Sequence, residues 1–349
     1  MYKVVITDSG FDSPDVERSI LEPLGCRLIP AQCEIPSELI SLVTDADYVM
    51  TGLAPIDAHV IAAMNKARII ARYGIGVDNI DLEAASKKDI PVCNVPDYCI
   101  DEVADHTMAL ILGLTRQIAC NWDHIRLGEW KLAAPVKEMR ALRNMTVGLV
   151  AFGRIGREVA ARLRSFKCRI LVFDPIVDAA VLEQAGCLPV GLGGLLAASD
   201  LVSLHCPSTL KARGMINRDT LAQMKEGAFF VNASRGALVN TEDLIAALKD
   251  GRIAGAALDV TDPGPIPKDS PLLAMSNVII SPHAASVSVK AMLNLRLSSA
   301  SAVACAIRGE KLPNVALFCN TLPRCPRLAS LPWKPVTLPC ASNSPASGI

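Results

Sequence analysis

Val147-Gly148-Leu149-Val150-Ala151-Phe152-Gly153-Arg154-Ile155-Gly156 is the stretch on which the fold turns. Val147 to Val150 form an apolar run of strand type, Gly153 opens a tight turn, and the pattern from Arg154 to Ser165 is helical. A strand that feeds a helix through such a turn leaves free N–H groups and a partial positive charge at the helix start, which suits a dinucleotide pyrophosphate. Gly153 lets the backbone approach phosphate and Gly156 lets the helix pack on the strand. Ala151 stands where the first glycine of a Gly-x-Gly-x-x-Gly pattern is expected, and alanine fits there only if the turn keeps φ negative. About twenty residues on, Asp174 ends the next strand in Val172-Phe173-Asp174-Pro175. Its carboxylate is placed to accept the adenosine ribose hydroxyls and would repel a 2′-phosphate, so NAD is expected over NADP.

Working outward, the series that begins at Thr146 continues with strands at Arg169 to Asp174, Leu201 to Cys206, Ala228 to Asn232, Ile253 to Val260 and Val278 to Ser281. Helical patterns lie between them at Arg154 to Ser165, Asp219 to Met224 and Thr241 to Lys249, the alternation of a doubly wound domain. Two further strand ends on the same edge, Leu204-His205-Cys206-Pro207 and Asn232-Ala233-Ser234-Arg235, finish in small or polar residues. Upstream, Val4 to Thr7, Asp47 to Thr51, Arg68 to Tyr73 and Pro91 to Val95 alternate with helical patterns at Pro14 to Leu24, Ile56 to Lys66 and Asp81 to Lys88, a second set of βαβ units. A long apolar helix opening at Asp101 or Glu102 and ending at Thr115 carries the chain from one series to the other. Another, roughly Ser286 to Arg308, is long enough to return and pack on the first. The expected fold class is α/β: two doubly wound parallel-sheet domains, with residues 100–283 inserted between 1–99 and 284–318. Residues 319–349 change to a proline-rich, acid-free composition that reads as a disordered tail.

Composition narrows the function. The 349 residues carry no net formal charge, so nothing supplies the field that attracts nucleic acid. Hydrophobic residues make up 51% with only 4% aromatic, as buried parallel strands under helices require. Twelve cysteines are scattered without a Cys-x-x-Cys pair or histidines at metal spacing, which predicts free thiols in a reducing cytoplasm and no metal site. The N-terminus lacks a secretory pattern, and no apolar run reaches the roughly 18 residues of a membrane span.

Hydride exchange between NAD and a 2-hydroxy acid needs a cation for the carboxylate or carbonyl and an acid/base that titrates near neutrality. Arg235, just past a strand end, offers a planar fork for a carboxylate. His283, in Ser281-Pro282-His283-Ala284-Ala285, places an imidazole where the chain crosses back to the first domain.

These residues, together with Arg72-Tyr73-Gly74-Ile75-Gly76-Val77-Asp78-Asn79-Ile80-Asp81, Val92-Cys93-Asn94-Val95-Pro96, Glu102-Val103-Ala104-Asp105-His106 and Ala257-Leu258-Asp259-Val260, resemble the D-isomer-specific 2-hydroxyacid dehydrogenase family over nearly all of residues 1 to 318. The branch containing the C-terminal-binding-protein corepressors is the most similar. The resemblance implies a Rossmann NAD-binding domain inserted into a flavodoxin-like substrate domain, and an oxidoreductase acting on a small 2-oxo or D-2-hydroxy acid of the glyoxylate, hydroxypyruvate or phosphoglycerate type. Arg235 would bind and polarise the oxo acid and His283 would move the proton. Asp259 would meet the nicotinamide end, and backbone N–H groups from Tyr73 to Gly76, with Arg72 beside them, would hold the substrate carboxylate. Ala151, Phe152, Gly153, Arg154, Ile155, Gly156, Asp174, Cys206, Pro207, Ala233 and Ser234 complete the implied cofactor contacts, and a homodimer is implied through the Asp101 to Thr115 helix and the Trp122 to Trp130 segment.

Two positions depart from the family. A glutamate that orients the catalytic histidine is replaced by Gly264, in Asp259-Val260-Thr261-Asp262-Pro263-Gly264-Pro265, and Asp262 substitutes only if the Pro-Gly-Pro loop folds it inward. Ser286 stands where corepressors carry a tryptophan, so the pocket is expected to be roomier or more polar. An NAD-sensing binding protein with reduced catalysis is the alternative to an enzyme.

Overall fold

The computed structural model describes residues 1–316 apart from Glu34, Ala134, Pro135, Lys137 and Glu138. The proline-rich segment from 319 lies outside the described residues.

Two sheets organise the chain. In the first, β1 (Tyr2–Ile6), β2 (Cys26–Pro30), β3 (Tyr48–Thr51), β4 (Ile70–Arg72) and β5 (Val92–Cys93) run parallel in the order β5-β4-β3-β1-β2. The second contains β6 (Thr146–Val150), β7 (Arg169–Phe173), β8 (Leu188–Pro189), β9 (Leu201–Leu204), β10 (Ala228–Asn232), β11 (Ile253–Leu258) and β12 (Val278–Ile280), in the order β12-β11-β10-β9-β6-β7-β8. A last antiparallel strand, β13 (Val315–Ala316), joins the first sheet beside β5. The strand order of the second sheet is that of a dinucleotide-binding fold, with its switch point between β6 and β9; the first follows the flavodoxin-like order.

Alternation along each strand explains the apolar runs. Val147, Leu149, Phe229 and Val231 enter one core, whereas Val150, Leu204, Ala228 and Phe230 enter another. Val4, Ile6, Tyr48 and Met50 likewise face one core of the first sheet and Val5 and Val49 the other. Both faces of each sheet are covered, so strands are apolar throughout rather than at every second residue.

Sequence reading missed β2, β8 and β13. Arg27 lies exposed between buried Cys26 and Leu28, and Pro30 ends the strand, a pattern tolerated at the sheet edge that β2 occupies. β8 is only a two-residue edge. The helices Pro36–Val43, Ile118–Arg126, Ala179–Gln184 and Leu192–Ala198 were also not anticipated. The long helix Ile100–Thr115 starts one or two residues earlier than expected and buries Ala104, Met108, Ile111 and Leu114 against the second sheet. The returning helix is Val289–Arg308, not Ser286 onward, because the Ser288 hydroxyl caps it by accepting from the Ala291 N–H at 3.0 Å. Its Leu295, Ala300 and Val303 pack with Val4, Ile6 and Ala71.

Among the described residues the nine cysteines are free, and no helix is long and apolar enough to cross a membrane.

Candidate active site

The turn after β6 has the expected path with one correction. Ala151 adopts φ 79°, in the left-handed region, rather than the negative φ that an alanine at this position requires by its own preference. Its N–H donates to the Phe173 carbonyl at 2.8 Å, and its own carbonyl lies 2.5 Å from where a Cβ on Gly156 would sit. Pairing with β7 and close packing of the Arg154–Ser165 helix thus force the geometry, at a cost of about 1–2 kcal/mol for an L-residue. Gly153 is the N-cap without a side-chain cap, and a Cβ there would meet nothing within 4 Å. Uncapped N–H groups facing open space are what a pyrophosphate requires.

Asp174 is tied to the same turn. Its Oδ2 accepts from the Phe152 N–H at 2.7 Å, and Oδ1 accepts from Ile176 and Val177 at 2.8 and 3.0 Å. The half-buried carboxylate keeps acceptor capacity for a ribose hydroxyl. Together these features fit NAD. The Phe152 ring is buried in the core, so only its backbone belongs to the turn. Across the switch point the His205 N–H donates to the Val150 carbonyl at 2.9 Å, which brings Cys206 and Pro207 beside the turn. Burial pushes the His205 imidazole down to about 4 and the Cys206 thiol up to about 11, so both are neutral near pH 7. Ile155 and Ala233 pack with Cys99, Val103 and Ala285, joining the cofactor turn to the loop that bears His283.

The loop after β4 supplies the opposite wall. Tyr73 turns its ring into the core of the first sheet, stacked edge-on against Phe11, and its hydroxyl donates to Glu17 Oε1 at 3.2 Å. The N–H groups of Tyr73 and Gly74 are already bonded to the carbonyls of Thr51 and Arg72. Within the described residues those of Ile75 and Gly76 carry no hydrogen bond, so the expected four-residue anion nest contracts to two amides. Arg72 lies across Gly74, where a Cβ would sit 1.4 Å from its Nη1, and its Nε is buried without a partner. Burial first, and then the Arg235 charge, push the Arg72 guanidinium down from its usual range.

Arg235 reaches this loop from the end of β10. Its Nε donates to Asp78 Oδ2 at 2.7 Å and its Nη1 to the Ser234 carbonyl at 2.7 Å, while Nη2 lies against Gly76, 1.8 Å from a would-be Cβ. Buried Asn232 holds the turn: its Nδ2 donates to the Arg235 carbonyl at 2.8 Å and its Oδ1 accepts from the Ser234 N–H and hydroxyl.

His283 stands on an equivalent turn after β12. Asp259, 2% exposed, gathers it: Oδ1 accepts from the Ser281 hydroxyl at 2.6 Å and the Ala284 N–H at 2.8 Å, and Oδ2 from the Ala285 N–H at 3.0 Å. The carboxylate expected at the nicotinamide end is therefore also the clamp of the histidine loop. Desolvation lowers the His283 pKa from its ordinary value; Asp259 opposes this, and Arg235 and Arg72 reinforce it. Arg72 and Arg235 thus bring two like charges to the loop after β4, which an anion would offset.

Asp262 does not replace the missing glutamate. It is exposed and lines a depression of about 440 Å³ with Thr241, Glu242 and Asp269, whose lining includes neither His283 nor Arg235. Among the described residues no carboxylate is hydrogen-bonded or ion-paired to the His283 ring. Sequence reasoning also left Asp78, Asn232 and Ser281 without roles. Asp78 lies two residues after Gly76 in the Arg72 to Asp81 stretch, the one signal in the sequence that points to it.

Residues 108–285 match the family model described as the D-isomer specific 2-hydroxyacid dehydrogenase, NAD binding domain. A glyoxylate reductase of Korarchaeum cryptofilum is 40% identical over 280 residues, covering 79% of this chain and 84% of that protein. The D-3-phosphoglycerate dehydrogenase of Mycobacterium leprae is 36% identical over 279 residues, 80% of this chain; the chain spans only about half, 52%, of that enzyme's length. Among solved structures, the D-lactate dehydrogenase of Aquifex aeolicus, complexed with NAD and lactic acid, superposes with a TM-score of 0.79 at 26% identity, covering 88% of this chain and 96% of the other.

Proposed function

Because the chain belongs to the D-isomer-specific 2-hydroxyacid dehydrogenase family, we propose that it interconverts a small 2-oxo acid and its D-2-hydroxy acid, of the glyoxylate, hydroxypyruvate or phosphoglycerate type, with NAD. The observation that carries this reading is the pair of guanidinium groups at the loop after β4, Arg72 lying across Gly74 and Arg235 against Gly76, beside the free amides of Ile75 and Gly76, with His283 on the turn that Asp259 clamps. Ile75 and Gly76 receive the substrate carboxylate, with Arg72 adding charge behind them. Arg235, oriented by Asp78, holds and polarises the oxo group. His283 gives its proton to the forming hydroxyl during reduction and takes it back during oxidation. NAD, when bound at the Gly153 turn and Asp174, supplies or accepts the hydride. The proposed cofactor domain is 100–283, inserted into a substrate domain of 1–99 and 284–318. Consumption of NADH with a panel of 2-oxo acids between pH 5 and 9 tests this function; binding of NADH without turnover of any of them rejects it.

One observation favours a second reading, an NAD-sensing protein with reduced catalysis: among the described residues no carboxylate is hydrogen-bonded or ion-paired to the His283 ring. A Cβ on Gly264 would lie 3.1 Å from the Thr261 carbonyl oxygen, and Gly264 does not have a positive φ, so Gly264→Glu requires that carbonyl to give by a few tenths of an ångström but imposes no backbone strain. A rise in kcat of about a hundredfold marks an impaired enzyme, whereas no change favours the sensor.

Free cysteines support a reducing, cytoplasmic setting. A homodimer is supported by Trp122 and Trp130, 59% and 94% exposed beside exposed Ile118 and Leu127. The Ile100–Thr115 helix contributes less, because its apolar face is already buried in the protomer. Light scattering checks the mass.

A further inference from the structure

His106, in the Glu102 to His106 motif, has no task in the mechanism above. It stands on the Ile100–Thr115 helix, its Nε2 2.9 Å from Ser281 Oγ and 3.4 Å from Asp259 Oδ1. The direction of the bonds follows from what each group can do. An ionised carboxylate only accepts, so the Ser281 hydroxyl proton points to Asp259 at 2.6 Å. The Ser281 oxygen must then accept from His106 Nε2–H, which sets the tautomer of His106.

The far end of this chain is the loop that carries His283. Asp259 Oδ1, which takes the Ser281 proton, also accepts from the Ala284 N–H, so residues on both sides of His283 are bound to one oxygen. His283 itself has φ 54°, a conformation that costs a non-glycine residue on the order of 1–3 kcal/mol and persists only where its surroundings over-determine it.

We propose that His106 is a positioning residue for His283, acting through Ser281 and Asp259 to hold the imidazole in its working orientation. The inference rests on the proton-transfer role given to His283 above. Its weight is greater in this chain because Gly264 supplies no carboxylate to the ring, leaving the backbone clamp as the constraint on its position. A helix-to-sheet anchor with no further role would affect stability alone.

The test compares His106→Leu, which removes the donor, with His106→Gln, whose amide can donate from nearly the position of Nε2. Steady-state kinetics with NADH and the best 2-oxo acid are read together with NMR of protein labelled with ¹⁵N-histidine, which has five histidines to assign. The expected result for His106→Leu is a kcat lower by about 10- to 100-fold, the scale at which groups supporting a site histidine act, with KM for NADH within about twofold and a shifted or broadened His283 ring signal. His106→Gln restores both readouts. Wild-type kcat and an unchanged His283 signal in His106→Leu overturn the proposal, as does a His106→Gln variant as impaired as His106→Leu. If His106→Leu does not fold, Ser281→Ala must give the same pair of changes or the proposal fails. If the wild-type protein turns over no oxo acid, the functional reading fails while the His283 signal still decides the positioning role.

Discussion

Arg235 and Asp78, 157 positions apart, share a charged hydrogen bond of 2.7 Å between Nε and Oδ2 that ties the turn after β10 to the loop after β4. It fixes the guanidinium plane and leaves Nη2 against Gly76, beside the free amides. Asp78→Asn is expected to raise KM for the oxo acid about tenfold while KM for NADH stays within about twofold, because only the orientation of Arg235 is lost. Arg235→Lys keeps the charge but loses the fork, and kcat/KM is expected to fall by at least about 100-fold. Steady-state kinetics on the two variants check both.

Proton supply sets a second expectation. Reduction needs His283 protonated, and desolvation with the nearby guanidinium groups lowers its pKa below the ordinary value of 6.5. The rate of reduction therefore falls about tenfold per pH unit above that lowered pKa, and oxidation gains as the imidazole becomes neutral. A pH profile of kcat/KM for reduction is expected to break below pH 6.5. Gly264→Glu is expected to move the break upward, since a carboxylate beside the ring favours the imidazolium.

The strained turn offers a test in stability. Ala151→Gly removes the steric cost of φ 79° but adds backbone entropy to the unfolded chain. The net expectation is a gain on the order of 1 kcal/mol, measured by denaturant unfolding. Loss of stability would show that the Ala151 methyl contributes packing that outweighs the strain.

On the proposed reading, Asp174 sets the choice between cofactors. NADH is expected to be preferred over NADPH by on the order of 100-fold in kcat/KM, and Asp174→Ser to narrow that ratio to about tenfold by removing the repulsion. Both ratios come from the same assay with either cofactor.

The positions of Arg235, His283 and Asp174 were legible in the sequence because each follows an apolar strand, and the carboxyl ends of parallel strands are where ligands bind. What escaped is what long-range packing decides. Nothing local shows that the Tyr73 ring turns away to Glu17, or that Asp78 meets an arginine on the other sheet. The φ of Ala151 is imposed by β7 and by the helix that packs on its carbonyl, against its own preference. His106 read as part of a motif, and its role emerged only when helix and β12 placed it 2.9 Å from Ser281.

Hydride exchange at a substrate carbon held between Arg235 and His283 is the proposed reaction. Its most direct test uses NADH deuterated at the transferred position, incubated with the protein and hydroxypyruvate or glyoxylate, with the product analysed by mass spectrometry. One deuterium is expected at C2 of the hydroxy acid formed, with the D configuration where C2 is a stereocentre, and loss of the label in Arg235→Ala. Binding of NADH with no labelled hydroxy acid from any 2-oxo acid tried would contradict it.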